Sequence, residues 1–155
     1  MNLRHFEADG IVLSTDRSLL DLPFVYRYLH DHMYWAKSLT FDAFQRAVAL
    51  SAVVVGAYDS SMNGQLAGFS RVVSNLETFA YLTDVFVVSE YRGRGLSKRM
   101  MELIVHHSEL QGLRRFLLVT EDAQRLYAKF GFEPSGNTCY VFSIQYIFKK
   151  TCLYL

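Results

Sequence analysis

The stretch Asp84-Val-Phe-Val-Val-Ser-Glu-Tyr-Arg-Gly-Arg-Gly-Leu-Ser-Lys-Arg-Met100 decides how this chain is read, because an apolar strand runs into a basic, glycine-spaced turn that opens directly into a helix. Gly93 and Gly95 let the backbone turn tightly and come close to a ligand. The unpaired amides of the first helical turn, with the positive end of the helix dipole, suit a pyrophosphate. Arg92, Arg94, Lys98 and Arg99 add positive charge around it. Two other phosphate loops do not fit. A nucleotide-hydrolysing loop needs Gly-Lys-Ser/Thr, whereas Gly95 is followed by Leu96 and Ser97; the dinucleotide fingerprint needs a third small residue where Lys98 stands.

What remains is Arg92-x-x-Gly95-x-Ser97 after an apolar strand. This resembles the Arg/Gln-x-x-Gly-x-Gly/Ala signature of the GCN5-related N-acetyltransferases, with Ser97 departing at the last position but still small. Downstream, Thr120-Glu-Asp-Ala-Gln-Arg-Leu-Tyr-Ala-Lys-Phe-Gly-Phe132 is similar to that family's Asn-x-x-Ala-x-x-Leu-Tyr-x-x-x-Gly-Phe segment, with Thr120 in place of the usual asparagine. The resemblance covers roughly residues 66 to 134, taken as the coenzyme-binding half of a single domain over 1–155. It implies an α/β fold, a mixed central sheet of about six to seven strands flanked by about four helices and splayed at the coenzyme site. It also implies acetyl-coenzyme A as acetyl donor. By resemblance, backbone groups of Val85, Phe86 and Val87 pair with the pantetheine arm. The turn from Arg92, Gly93, Arg94, Gly95 and Leu96 to Ser97 and Lys98, together with Thr120, completes the coenzyme contacts. Tyr127 would protonate the leaving thiolate.

The whole chain fits these implications. Its 155 residues, about half of them apolar, suffice for one globular core, and the formal charge of +1 lacks the basic excess of a nucleic-acid-binding protein. No apolar run approaches a membrane span, and the acid-bearing N-terminus lacks a signal-peptide core, so a cytoplasmic location is expected. Cys139 and Cys152 have no metal-ligand spacing and read as reduced small hydrophobes. Periodicity predicts strands over 10–15, 52–58, 65–73, 79–88 and 115–120, the last of them buried, and helices over 22–32, 41–50, 96–110 and 122–130. The tail over 137–155 is apolar on both faces, which predicts a closing strand and pairing with a second subunit into a homodimer.

Acetyl transfer to an amine needs a positioned neutral amine, an oxyanion stabiliser and a proton for the thiolate. An alkyl amine is only about one part in a thousand neutral at pH 7.4. Asp84, an acid interrupting an apolar strand, is therefore the first candidate for base or amine ligand; the alternatives are a salt bridge with Arg71, the competing acid Glu77, and water-mediated deprotonation. His30-Asp-His-Met-Tyr-Trp-Ala-Lys37 concentrates polar and aromatic groups, so the acceptor pocket is expected to use His30, Tyr34, Trp35, Arg71 and Asp84. His30 and His32 lack a third metal ligand, and no metal is expected. These readings predict an acetyl-coenzyme A-dependent N-acetyltransferase acting on a small-molecule primary amine. The competing readings are a non-catalytic acyl-coenzyme A-binding module and a protein N-terminal or lysine acetyltransferase.

Overall fold

The computed structural model describes residues 4–6 and 9–134, the first three by backbone alone. Six strands form one sheet in chain order: β1 (Arg4–Phe6), β2 (Ile11–Ser14), β3 (Val53–Asp59), β4 (Gln65–Ser74), β5 (Phe79–Val87) and β6 (Arg115–Leu118). Strands β1 to β5 pair antiparallel, and β6 joins β5 in parallel through the crossover helix α3 (Leu96–Val105). The helices α1 (Leu22–His32), α2 (Phe41–Ala49) and α4 (Gln124–Ala128) complete the α/β architecture expected from the sequence. The expectations for 137–155, including the closing strand, the subunit contact and both cysteines, lie outside the described residues.

Local chemistry sets the helix ends. The Asp21 carboxylate accepts the Phe24 amide at 3.0 Å to open α1, with Pro23 in the first turn where its missing N–H is harmless. The Thr40 hydroxyl accepts the Ala43 amide at 3.3 Å to open α2. Helix α3 ends at Val105, short of the expected 110, because His107 turns extended (φ −64°, ψ 130°) and its Nδ1 accepts the Glu109 amide. Helix α4 is likewise shorter than 122–130. The Thr120 hydroxyl caps the turn before it at Ala123, and Gly131 adopts φ +84° just beyond it.

Successive strand residues point to opposite faces, so the sheet carries two layers. On one face Phe69 meets Phe86, whose ring lies 4.4 Å from that of Tyr28 on α1. On the other, Gly68 lies under Met100 of α3. Val25, Leu29, Phe44 and Val48 fill the first layer, and Leu96, Met100, Met101 and Ile104 the second. Strand β6 was expected to be buried; Arg115 is exposed and only Leu118 is buried, because it is the last strand of the sheet among the described residues. Strand β1 has no counterpart in the sequence reading, since three residues are too short for a period-two pattern.

Candidate active site

The site begins where β5 ends. Gly93 (φ +77°) and Gly95 (φ +75°) take the left-handed conformation that side chains disfavour, and neither has another group within 4 Å of where a Cβ would stand. Gly95 is the N-cap of α3 and offers no side-chain cap, which leaves the amides of Leu96, Ser97 and Lys98 without partners inside the helix. The turn is thus an open, amide-lined concavity at the positive end of a ten-residue helix. Its cations are unequal. Arg92 lies exposed with Nε 3.4 Å from the Val87 carbonyl, and Lys98 pairs with surface Glu102. Arg94 stacks over Tyr91 and reaches the Asp9 carbonyl at 3.2 Å. Arg99 does not belong to the cradle as expected: it is largely buried, donating to Asp9 Oδ2 at 2.9 Å and to the Ile11 carbonyl at 3.2 Å, and so ties α3 to β2.

Upstream the sheet opens. Strands β5 and β6 pair from Phe79 with Arg115 to Leu82 with Leu118 and no further, although β5 continues to Val87. The edge of residues 83–87 that faces β6 is therefore free of ladder bonds from that strand. Val87 is less free than expected, because Tyr28 Oη (3.3 Å) and Arg92 both donate to its carbonyl. The β4–β5 register slips between Phe69 and Arg71, placing an extra residue in β5 at Asp84, whose φ is +54°.

Asp84 is 7% exposed, and both of its oxygens already have donors. Arg71 Nε donates to Oδ2 at 2.5 Å and Trp35 Nε1 to Oδ1 at 3.4 Å. The salt bridge that the sequence reading weighed against a catalytic role is present. Glu77 is out of range: it sits in the turn between β4 and β5, seven residues from Asp84 along an extended chain, or about 20 Å.

Tyr127 of α4 is buried, its ring 6.1 Å from that of Phe132. Burial, and after it the charge of Asp122, pushes the phenol up to about 12. Thr120 Oγ1 accepts the Ala123 amide at 3.0 Å and so shapes the approach to α4. Tyr34 and Trp35 both stand partly exposed. The Tyr34 hydroxyl donates to Glu121 at 2.8 Å, and this bond, ahead of burial and the charges of Glu121 and Asp122, raises its pKa.

Residues 18–132 match the model of the acetyltransferase (GNAT) family. The chain belongs to that family. A Xanthomonas campestris pv. campestris structure assigned to the GNAT acetyltransferases shares 43% identity over 84% of this chain and 93% of its own, with a TM-score of 0.76. A Gibberella zeae protein described as an acetyltransferase is 32% identical, over 76% of each chain. The Escherichia coli GNAT N-acetyltransferase solved in complex with CoA shares 18% identity and a TM-score of 0.64, covering 83% of this chain and 72% of its own, which shows likeness of fold.

Within this GNAT acetyltransferase the predicted residues divide. Tyr34, Trp35, Arg71 and Asp84 come together through hydrogen bonds and ring contacts on the α1 side of the bulge. His30 does not join them, because its ring packs on Tyr26, 5.7 Å away, and on Asp31. His32, two residues on and so near the opposite side of the helix, stacks at 4.2 Å on Tyr28 beside Phe86. Sequence reasoning missed Tyr28, Glu121 and Asp122. Tyr28 lay in a pattern that asked only for an apolar helix face, whereas the two acids stood inside a quoted motif at positions that motif leaves open. Among the described residues no three His, Cys, Asp or Glu gather as a metal site, and no helix is long and apolar enough to cross a membrane.

Proposed function

We propose that this acetyltransferase moves the acetyl group of acetyl-coenzyme A onto the primary amine of a small molecule by direct attack in a ternary complex. The observation that carries the reading is the succession along β5 of a strand edge left unpaired beyond Leu82 and the capless N-terminus of α3. The bound thioester supplies the electrophilic carbonyl. The amides of Leu96, Ser97 and Lys98 hold the pyrophosphate, with Arg92 and Arg94 beside it. Backbone groups of 83–86 on the edge left by the parting of β6 receive the pantetheine arm. A phenol held near 12 stays protonated throughout the working range and donates to the thiolate as it forms. Both cysteines stand outside the two motifs, which favours direct attack over an acyl-enzyme. The E. coli relative solved with CoA supports the choice of donor.

Titration calorimetry of acetyl-coenzyme A, with dephospho-coenzyme A and ATP as controls, tests the donor on the wild type and on Gly95→Glu. The variant aims a carboxylate into the cradle from a residue with open space around it. Micromolar binding to the wild type alone is expected, followed by thiol release with at least one of spermidine, tyramine, L-lysine or glucosamine. No binding sinks the proposal; binding with no turnover replaces it by the binding-module reading.

A further inference from the structure

Tyr34 and Trp35 are neighbours between α1 and α2, yet they anchor to opposite lips of the splay. Trp35 Nε1 donates to Asp84, just past Leu82, the last β5 position paired with β6. The Tyr34 hydroxyl donates to Glu121, just past Leu118, the last paired position of β6. The two rings meet edge to face, 5.1 Å between centroids at 87°, so they brace each other. The Asp84 end is rooted in the core: Arg71 holds its other oxygen and donates to Ser51 Oγ at 3.3 Å, and the Ser51 hydroxyl donates to the Ala47 carbonyl at 2.8 Å. The rings nevertheless stay 45% and 42% exposed, although burial would stabilise them.

We infer that Tyr34 and Trp35 form a strap across the acceptor side of the splay, presenting the surface that selects a cationic amine, and that Asp84 and Glu121 position this strap rather than accept the amine's proton. The inference rests on the acetyltransferase reading of the same site. Aromatic faces attract an ammonium group, and the carboxylates of Glu121 and the nearby Asp122 favour positive charge at the entrance, while Arg71 matches the charge of Asp84. On the donor side the exposed side chains of the cradle, Arg92, Arg94 and Lys98, are basic, so the two substrates meet fields of opposite sign. Asp84 is poorly placed to be a base, since donors already occupy both of its oxygens.

Trp35 is the only tryptophan, so its fluorescence reports the strap without any acceptor present. Tyr34→Phe and Glu121→Ala should raise acrylamide quenching of Trp35 about twofold. Glu121→Gln, which keeps an oxygen for the phenol, should stay near the wild type. Calorimetric binding of acetyl-coenzyme A should be unchanged in all three, while KM for the best amine of the panel rises about tenfold in the first two with kcat within about threefold. Asp84→Asn should keep the acid limb of the kcat/KM profile. Equal quenching in every variant overturns the strap, and altered quenching with unchanged KM overturns its selective role. Loss of that limb with a fall of about 10²-fold or more makes Asp84 the base and overturns the positioning role. A wild type that neither binds acetyl-coenzyme A nor turns over an amine sinks the acetyltransferase reading instead, and quenching still decides whether the strap exists.

Discussion

Replacing Tyr127 by Phe separates chemistry from packing, because the ring stays and only the hydroxyl leaves. The phenol titrates near 12 against an ordinary value of 10, chiefly through burial. An acid of about 12 facing a thiol of about 8.5 makes full proton transfer uphill by roughly 5 kcal/mol, so in the proposed mechanism Tyr127 acts mainly by donating a hydrogen bond to the thiolate. Loss of that donor should lower kcat about 10²-fold, the low end for a general acid, with acetyl-coenzyme A binding intact. The same shift predicts a stability effect of known sign. A folded-state pKa raised above the unfolded value contributes stability that is complete below pH 10 and is lost as the pH rises through about 12. Between pH 8 and pH 11 the wild type should therefore lose about 1.4 kcal/mol more than Tyr127→Phe. Thiol release against pH and urea titrations at those two pH values measure both effects. Two results would refute the reasoning: a Phe variant within about threefold of wild-type kcat, or parallel alkaline losses in the two proteins.

Arg71→Met should destabilise the fold by about 3 kcal/mol, because it leaves the Asp84 carboxylate buried without its cation; adding Asp84→Asn should recover part of that loss. A urea midpoint shift equivalent to less than about 1 kcal/mol would mean that other groups support Asp84. Among the described residues the buried Tyr58 hydroxyl has no hydrogen-bond partner, and burial ahead of the charge of Asp16 raises its pKa strongly. Tyr58→Phe should accordingly raise stability by about 1 kcal/mol; a destabilised variant would show that the hydroxyl has a partner in solution.

Much of the site was legible because its parts are local. A glycine pair that must turn left-handed, a helix opening without a cap and an apolar strand ahead of them lie within Asp84 to Met100, and each is a backbone demand written in neighbouring residues. The Tyr127 helix was legible through its motif, though its length was not, since Thr120 and Gly131 end it through contacts shorter than a periodic pattern reports. Asp84 was singled out as an acid in an apolar strand. Its role was not readable, because Arg71 reaches it across the β4–β5 ladder and Trp35 from another layer.

The sequence by itself determined the order of β2 to β6 and of the four helices and the glycine turn that opens α3, which follow from periodicity and glycine placement within short stretches; the role of Tyr127 is what the family resemblance implies, and the Tyr127→Phe variant tests it. Only the tertiary structure decided that β5 and β6 part after Leu82, that His32 rather than His30 joins the aromatic stack, and that Glu121 meets Tyr34. Those contacts join residues far apart in the chain, as in the 87-residue separation of Tyr34 and Glu121. Which distant side chains meet depends on how layers pack and twist, and no local pattern carries that information.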